Sequence, residues 1–216
     1  MTEIIPASIG QNFTEVANKI RLIKAATNLV HLDIMDGTFT DEFSWRAPEA
    51  LESLEGETKI ECHLMVKAPE QILPVWIKVA DRIIIHTEAT EHLTEIIDSL
   101  AGRSVEPALG LNLETPISKI DELIGKVKAV HLMSIAKIGA HGHPFDERVL
   151  AKIKHLRSLH PGVIIQVDGG INLTNAQSVI EAGANNLVVG SAIWQTPDPI
   201  ITLDKFKQLL EASRSF

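Results

Sequence analysis

The chain has no tyrosine, a single cysteine and only 4% aromatic residues in 216 positions. One thiol excludes an internal disulfide framework and any zinc finger built on cysteine. No uncharged apolar run reaches the ~18 residues of a membrane-spanning helix, so none is expected. The opening segment Thr2-Glu3-Ile4-Ile5-Pro6 lacks the basic region and apolar stretch of a secretory signal, which makes a cytoplasmic location the default expectation. Basic residues are also in deficit: 20 Lys and Arg stand against 28 Asp and Glu, for a formal charge of −8. That balance argues against general nucleic-acid binding, which needs basic surface to neutralise phosphates. A small phosphorylated ligand is not excluded, because a local nest of donors suffices for it. Linkers, repeat blocks and low-complexity tracts are absent too. Residues 1–216 therefore read as one domain, long enough to bury a core without staples.

Short apolar and β-branched runs alternate with amphipathic stretches from one end to the other. Candidate strands are Ile4–Ile9, Leu29–Met35, Lys59–Val66, Arg82–His86, Glu106–Leu111, Ala129–Ser134, Val163–Val167 and Leu187–Gly190. Most are near-continuous apolar runs, as expected of parallel strands covered on both faces. Between them Phe13, Val16, Ile20 and Ile23 recur at helical spacing, as do Leu93, Ile96, Ile97 and Leu100, and Val149, Ile153, Leu156 and Leu159. Asp146 is a candidate helix cap, and Pro48, Pro69 and Pro116 sit where helices can start. Eight strands and roughly eight helices in alternation fit an α/β fold, a (β/α)8 TIM barrel. An open doubly wound sheet would want a glycine-rich turn after its first strand, and Ala7-Ser8-Ile9-Gly10-Gln11 is not one.

In such a barrel the chemistry sits at the C-terminal strand ends. Strand 2 carries His31 and Asp33 two residues apart, hence on one face, with Leu32 and Ile34 on the other. Strand 3 ends with His63, and strand 7 ends with Asp168. Two histidines and two carboxylates suit one divalent metal ion (Zn, Fe, Mn or Co). Each residue alone could be a satisfied polar group, but two carboxylates in a barrel mouth without a cation would cost several kcal/mol. Strands 2 and 7 are three steps apart around a closed ring, so Asp33 and Asp168 can face each other across a small ligand. That arrangement can remove a proton from one face of a carbon and return one to the other. A metal beside them would polarise an adjacent carbonyl and stabilise the enediolate formed on the way. Gly169, Gly170, Gly190 and Ser191, after strands 7 and 8, are candidate phosphate-binding turns.

In these residues and their order, the chain resembles the ribulose-phosphate 3-epimerase family. The matching pieces are His31-Leu32-Asp33-Ile34-Met35-Asp36-Gly37, His63-Leu64-Met65, His86-Thr87-Glu88-Ala89, Leu132-Met133-Ser134, Val167-Asp168-Gly169-Gly170-Ile171-Asn172 and Gly190-Ser191-Ala192-Ile193, in family order. The resemblance implies that His31, Asp33, His63 and Asp168 bind the metal and that Asp33 and Asp168 are the acid/base pair. It implies that Met35, Met65 and Met133 line the site near the reacting carbons, although core filling is methionine's commoner use. It assigns Gly169, Gly170, Gly190 and Ser191 to the phosphate, and Ser8 to the substrate if a one-residue shift in the first strand is allowed. The family reaction interconverts ribulose 5-phosphate and xylulose 5-phosphate.

Three loops depart from the family pattern. The lid after strand 6 reads Ala136-Lys137-Ile138-Gly139-Ala140-His141-Gly142-His143-Pro144-Phe145, the loop after strand 2 reads Thr40-Asp41-Glu42-Phe43-Ser44-Trp45-Arg46, and the first strand has Pro6-Ala7-Ser8-Ile9. These changes leave a six-carbon ketose phosphate open as the substrate. They bear on the identity of the sugar phosphate more than on the reaction. A non-catalytic phosphosugar-binding barrel would be expected to lose one aspartate, and both are present. Decarboxylase or aldolase barrels use an Asp-x-Lys pair on a central strand; none stands on strand 3, and Lys59 is at its wrong end. His86 and Glu88 share a face and read as support for the ligand shell. His141 and His143 could contact substrate or a second anion but read first as a solvated loop pair. Lys137 and Arg46 are the cations that could reach a phosphate, with surface solvation the alternative, and Cys62 reads as a small core residue. Trp45, Trp76 and Trp194 are assigned to packing, and Glu49, Glu52 and Glu55 to a solvated face. A homo-oligomer is expected by analogy with other barrels.

Overall fold

A computed structural model describes residues 2–54, 56, 58–139 and 143–213. Eight parallel strands close on themselves in sequence order. They are β1 Glu3–Ser8, β2 Leu29–Met35, β3 Lys59–Met65, β4 Arg82–His86, β5 Glu106–Leu111, β6 Ala129–Met133, β7 Ile164–Asp168 and β8 Asn186–Val189. Three match the expected bounds, and the others differ by a residue at one or both ends. The (β/α)8 barrel is thus the observed fold.

Helices α1 Phe13–Ile23, α2 Leu73–Trp76, α3 Leu93–Leu100, α4 Arg148–Leu159, α5 Ala176–Glu181, α6 Ser191–Trp194 and α7 Pro199–Ser213 cover the outside. Asn12 caps α1 by accepting the Glu15 N–H at 3.0 Å, and Glu15 reciprocates by accepting the Gln11 N–H. Asp146 does the same work before α4, where its Oδ1 accepts the Arg148 N–H at 3.0 Å. Two crossovers depart from the expected helices. Residues after β2 form only a 3₁₀ segment, Pro48–Leu54, and those after β5 form two short ones, Ile117–Ile120 and Ile124–Lys126. Pro116 precedes the first of these two, and Gly125 lies inside the second.

Strand alternation sorts the residues into two interiors. Outward positions such as Ile34, Cys62, Leu64, Ile83, Ile85, Val130 and Leu132 join the helices in one large core, with Trp76 buried in it. Cys62 is fully buried there, and burial pushes its thiol pKa far up. The inward positions are different. Small apolar clusters, Ile5–Ala7–Leu29–Val188 and Ile84–Ala108–Ala129, share the inside of the barrel with His31, Glu61, His63, His86, His131, Gln166 and Asn186, all buried. A polar interior of this kind is stable only if its hydrogen bonds are satisfied, so its network sets the site's geometry.

Candidate active site

At the C-terminal mouth of the barrel, Asp33 and Asp168 line one cavity together with Met65, Met133, Gly169, Gly170, Gly190 and Ser191. Ala7 and Ile9 of the first strand region also line it. Ser8, expected at the substrate, is turned away: it alternates with Ala7 along β1, and its buried hydroxyl has no hydrogen-bond partner. Met35 is buried beside Met65 in the β2–β3 pair and is not among the residues that line the cavity.

Beneath the aspartates lie His31 and His63, both fully buried. Asp33 Oδ1 is 3.2 Å from His31 Nε2 and 2.9 Å from His63 Nδ1, and Asp168 Oδ2 is 3.7 and 3.9 Å from the same two atoms. The far nitrogens of both rings are anchored. His31 Nδ1 is 2.6 Å from Glu61 Oε1, so it donates its proton there and Nε2 is the nitrogen that faces the site. Glu88 performs the matching task for His63 through a relay. His86 Nδ1 donates to Glu88 Oε2 at 3.1 Å, which leaves His86 Nε2 to accept from His63 Nε2 at 2.7 Å. His63 Nδ1 is then the nitrogen that faces the site, 2.9 Å from Asp33 Oδ1. Glu88 is itself fixed by the Asn112 N–H and the Thr115 hydroxyl. Two imidazole nitrogens and two carboxylates therefore converge on one point, with carboxylates behind both histidines, and this donor set, once its site-facing nitrogens are deprotonated, fits a divalent ion.

Charge follows from the same contacts. Burial alone would raise the Asp33 carboxyl, but His31 and His63 outweigh it and hold the group far below the usual range. Burial and the Asp33 charge raise Asp168 to about 6, against the pull of His31 and His63. His31 is pulled well above the ordinary histidine value, because Asp33 and Glu61 overcome its burial. His63, buried and beside His131, is pushed down to about 3. Burial opposes ionisation of Glu61, yet His31 and Arg82 keep it ionised, at about 2.

Three residues escaped the sequence reading. Glu61 lies at the centre of the buried network, accepting from His31, from Arg82 Nη1 at 2.9 Å and from Gln166 Nε2 at 2.6 Å. His131 brings its Nε2 within 3.5 Å of Asp168 Oδ2, and donor atoms of His31, His63, His131 and Asp168 lie within 4.8 Å of one another. Their signal was strand parity: Glu61 shares a face with His63, Gln166 with Asp168, and His131 with Met133.

The altered loops meet across the mouth. Lys137 Nζ is 3.0 Å from Asp41 Oδ2, and a Cβ at Gly139 would lie 2.8 Å from Thr40 Cβ. His143, expected in solvent, lines the cavity. Gly170 allows this: at φ +66°, a Cβ there would stand 2.5 Å from the Phe145 nitrogen. Ala140, His141 and Gly142 lie outside the described residues, as does Glu55. Lys59 is exposed at the start of β3, away from the cavity.

Comparison with known proteins agrees with this frame. The family model described as the ribulose-phosphate 3 epimerase family matches residues 3–194. The chain is 32% identical to the ribulose-phosphate 3-epimerase of Bacillus subtilis (strain 168), over 92% of this chain and 94% of that one. It is 34% identical to the chloroplastic ribulose-5-phosphate-3-epimerase of Arabidopsis thaliana, over 90% of this chain and 72% of that one. Among solved structures, orotidine 5'-monophosphate decarboxylase from Sulfolobus solfataricus superposes with a TM-score of 0.70 over 99% of this chain and 100% of that one, at 14% identity. That likeness is one of fold alone. With the family model spanning nearly all of the barrel and relatives above 30% identity along its length, the chain belongs to the ribulose-phosphate 3 epimerase family, a family of isomerases.

Proposed function

We propose that this enzyme inverts C3 of a ketose phosphate, interconverting ribulose 5-phosphate and xylulose 5-phosphate, with Asp33 and Asp168 as the acid/base pair. The observation that carries this reading is the pair itself: two carboxylates from β2 and β7 line one cavity above two histidines whose Nε2 and Nδ1 turn to the same point. One divalent ion would be held by His31, Asp33, His63 and Asp168. When bound, it supplies a Lewis acid that polarises the ketone and offsets the charge developing on its oxygen.

The chain's own groups account for the rest. One aspartate removes the C3 proton, and the other delivers a proton to the opposite face. Their environments push the two carboxyls apart, Asp33 strongly ionised and Asp168 raised to about 6, as a pair that shares one proton requires. Met65 and Met133 give the reacting carbons an aprotic wall, which keeps stray proton donors from the intermediate. Gly169, Gly170, Gly190 and Ser191 line the cavity with accessible backbone, suited to phosphate oxygens. The names of the relatives in Bacillus subtilis and Arabidopsis thaliana support ribulose 5-phosphate as the substrate.

The test is incubation of metal-loaded protein with ribulose 5-phosphate in heavy water, followed by NMR, with Asp168→Asn alongside. Loss of the C3 proton signal with appearance of xylulose 5-phosphate is expected, slowed about 10²–10⁴-fold in the variant. Binding without exchange would refute catalysis. Exchange only with a six-carbon ketose phosphate would reassign the substrate.

A further inference from the structure

The proximity of three histidines to Asp168 would make His131 a metal ligand on distance alone. Hydrogen-bond directions oppose that. The Gln166 amide has a determined orientation: its Nε2 lies 2.6 Å from Glu61 Oε1, and a carboxylate oxygen there can only accept. The Asn186 Nδ2 donating to Gln166 Oε1 at 3.4 Å agrees with that orientation. The same Gln166 Nε2 is 3.0 Å from His131 Nδ1. An NH2 group offers no lone pair, so Nδ1 must accept, and the ring's proton must be on Nε2.

His31 and His63 are therefore turned the opposite way from His131. Their anchored nitrogens donate, so their site-facing nitrogens can be bared for an ion, whereas the site-facing Nε2 of His131 is an N–H. That Nε2 is buried and has no hydrogen-bond partner; Asp168 Oδ2 stands 3.5 Å away. The ring is held in place by stacking on His31, 5.5 Å between centroids and 12° between planes.

We infer that His131 is not a metal ligand but a positioning residue, an N–H donor aimed at Asp168 Oδ2. All three histidine approaches to Asp168 are to Oδ2. Oδ1 is left for the cavity, where a substrate proton would be exchanged. The 3.5 Å separation is longer than a formed hydrogen bond, and such contacts in unliganded sites commonly tighten when substrate binds. Gln166 and Glu61 act behind His131 as the pair that sets its tautomer. The inference rests on the proposal that His31, Asp33, His63 and Asp168 hold the ion and that Asp168 exchanges the proton.

Three measurements on the intact protein test it. Long-range ¹⁵N NMR of histidine-labelled protein, metal-free and zinc-loaded, should show His131 protonated at Nε2 in both states. His131→Gln, which keeps a donor near that position, and His131→Leu, which does not, should each bind one zinc with unchanged affinity and give a cobalt absorption spectrum like that of the parent. In His131→Leu kcat should fall about 10–100-fold with little change in KM, and His131→Gln should recover most of the loss. A metal-bound ¹⁵N shift at His131 Nε2, or a loss of about tenfold or more in zinc affinity in both variants, would make it a ligand and overturn the inference. Wild-type kcat in His131→Leu would overturn the positioning role. If the parent protein binds no zinc, the assigned ion site fails, and the tautomer in the metal-free spectrum still decides whether His131 offers an N–H.

Discussion

Replacing Glu61 tests whether the buried polar network, rather than the strand ends alone, builds the site. Its carboxylate is fully buried and receives three donors: His31 Nδ1 at 2.6 Å, Gln166 Nε2 at 2.6 Å and Arg82 Nη1 at 2.9 Å. Glu61→Ala leaves His31 Nδ1 unpaired and leaves Gln166 Nε2 with His131 Nδ1 alone. It also strips the Arg82 guanidinium, 13% exposed, of its buried partner, with Glu106 Oε2 at 3.2 Å remaining. Breaking a buried ion pair from one side costs about 3–5 kcal/mol. For a domain of this size each kcal/mol lowers Tm by about 2–4 °C, so a drop of about 6–20 °C is expected for metal-free protein in a thermal melt. Glu61→Gln separates the contributions. Its carbonyl can replace Oε1 and keep His31 and Gln166 as donors, while its NH2 must face Arg82. A smaller loss, about 1–3 kcal/mol, is expected for it. Zinc affinity should fall about 10–100-fold in the alanine variant, since His31 loses the partner that orients its ring, and less in the glutamine variant. A Glu61→Ala protein that melts with the parent and binds zinc equally well would refute the network as the source of the site's geometry.

Metal binding should release protons. Asp33 and Glu61 raise His31 above the ordinary histidine value in the metal-free protein, which favours a proton on Nε2 that an ion must displace. As pH falls, apparent zinc affinity should decline by about tenfold per unit, and more steeply below about 6, where Asp168 also takes a proton. Titration calorimetry in buffers of different ionisation enthalpy would count the protons; an affinity constant from pH 8 to about 6 would contradict the assignment. At Gly170, alanine would be strained at φ +66° and would push its Cβ against the Phe145 backbone. Gly170→Ala should cost about 1–3 kcal/mol and raise KM for the phosphorylated substrate more than it lowers kcat; wild-type KM and Tm would show that the 143–145 segment does not shape the cavity.

Some of this protein was determined by its sequence alone. Alternating β-branched runs and helical stretches already require a parallel sheet with crossovers, and eight of them close a barrel because no edge then stays unpaired. The spacing of His31 and Asp33 fixes their common face, since a strand turns its side chains over with period two whatever surrounds it. Asp168 at the end of β7 follows for the same local reason. Tertiary structure decided the rest. Glu61, Gln166 and His131 each show an inward parity in the sequence, but only closure of the ring brings β3, β6 and β7 close enough for one side chain to set another's tautomer. Ser8 fell on the wrong side of β1 because a one-residue shift reverses every side chain, and only the pairing of Ala7 with His31 settles it. The contact between the 40–46 loop and residues 137–139 has no local signature, because Lys137 and Asp41 are nearly a hundred residues apart and meet only where the barrel's mouth draws their strands together.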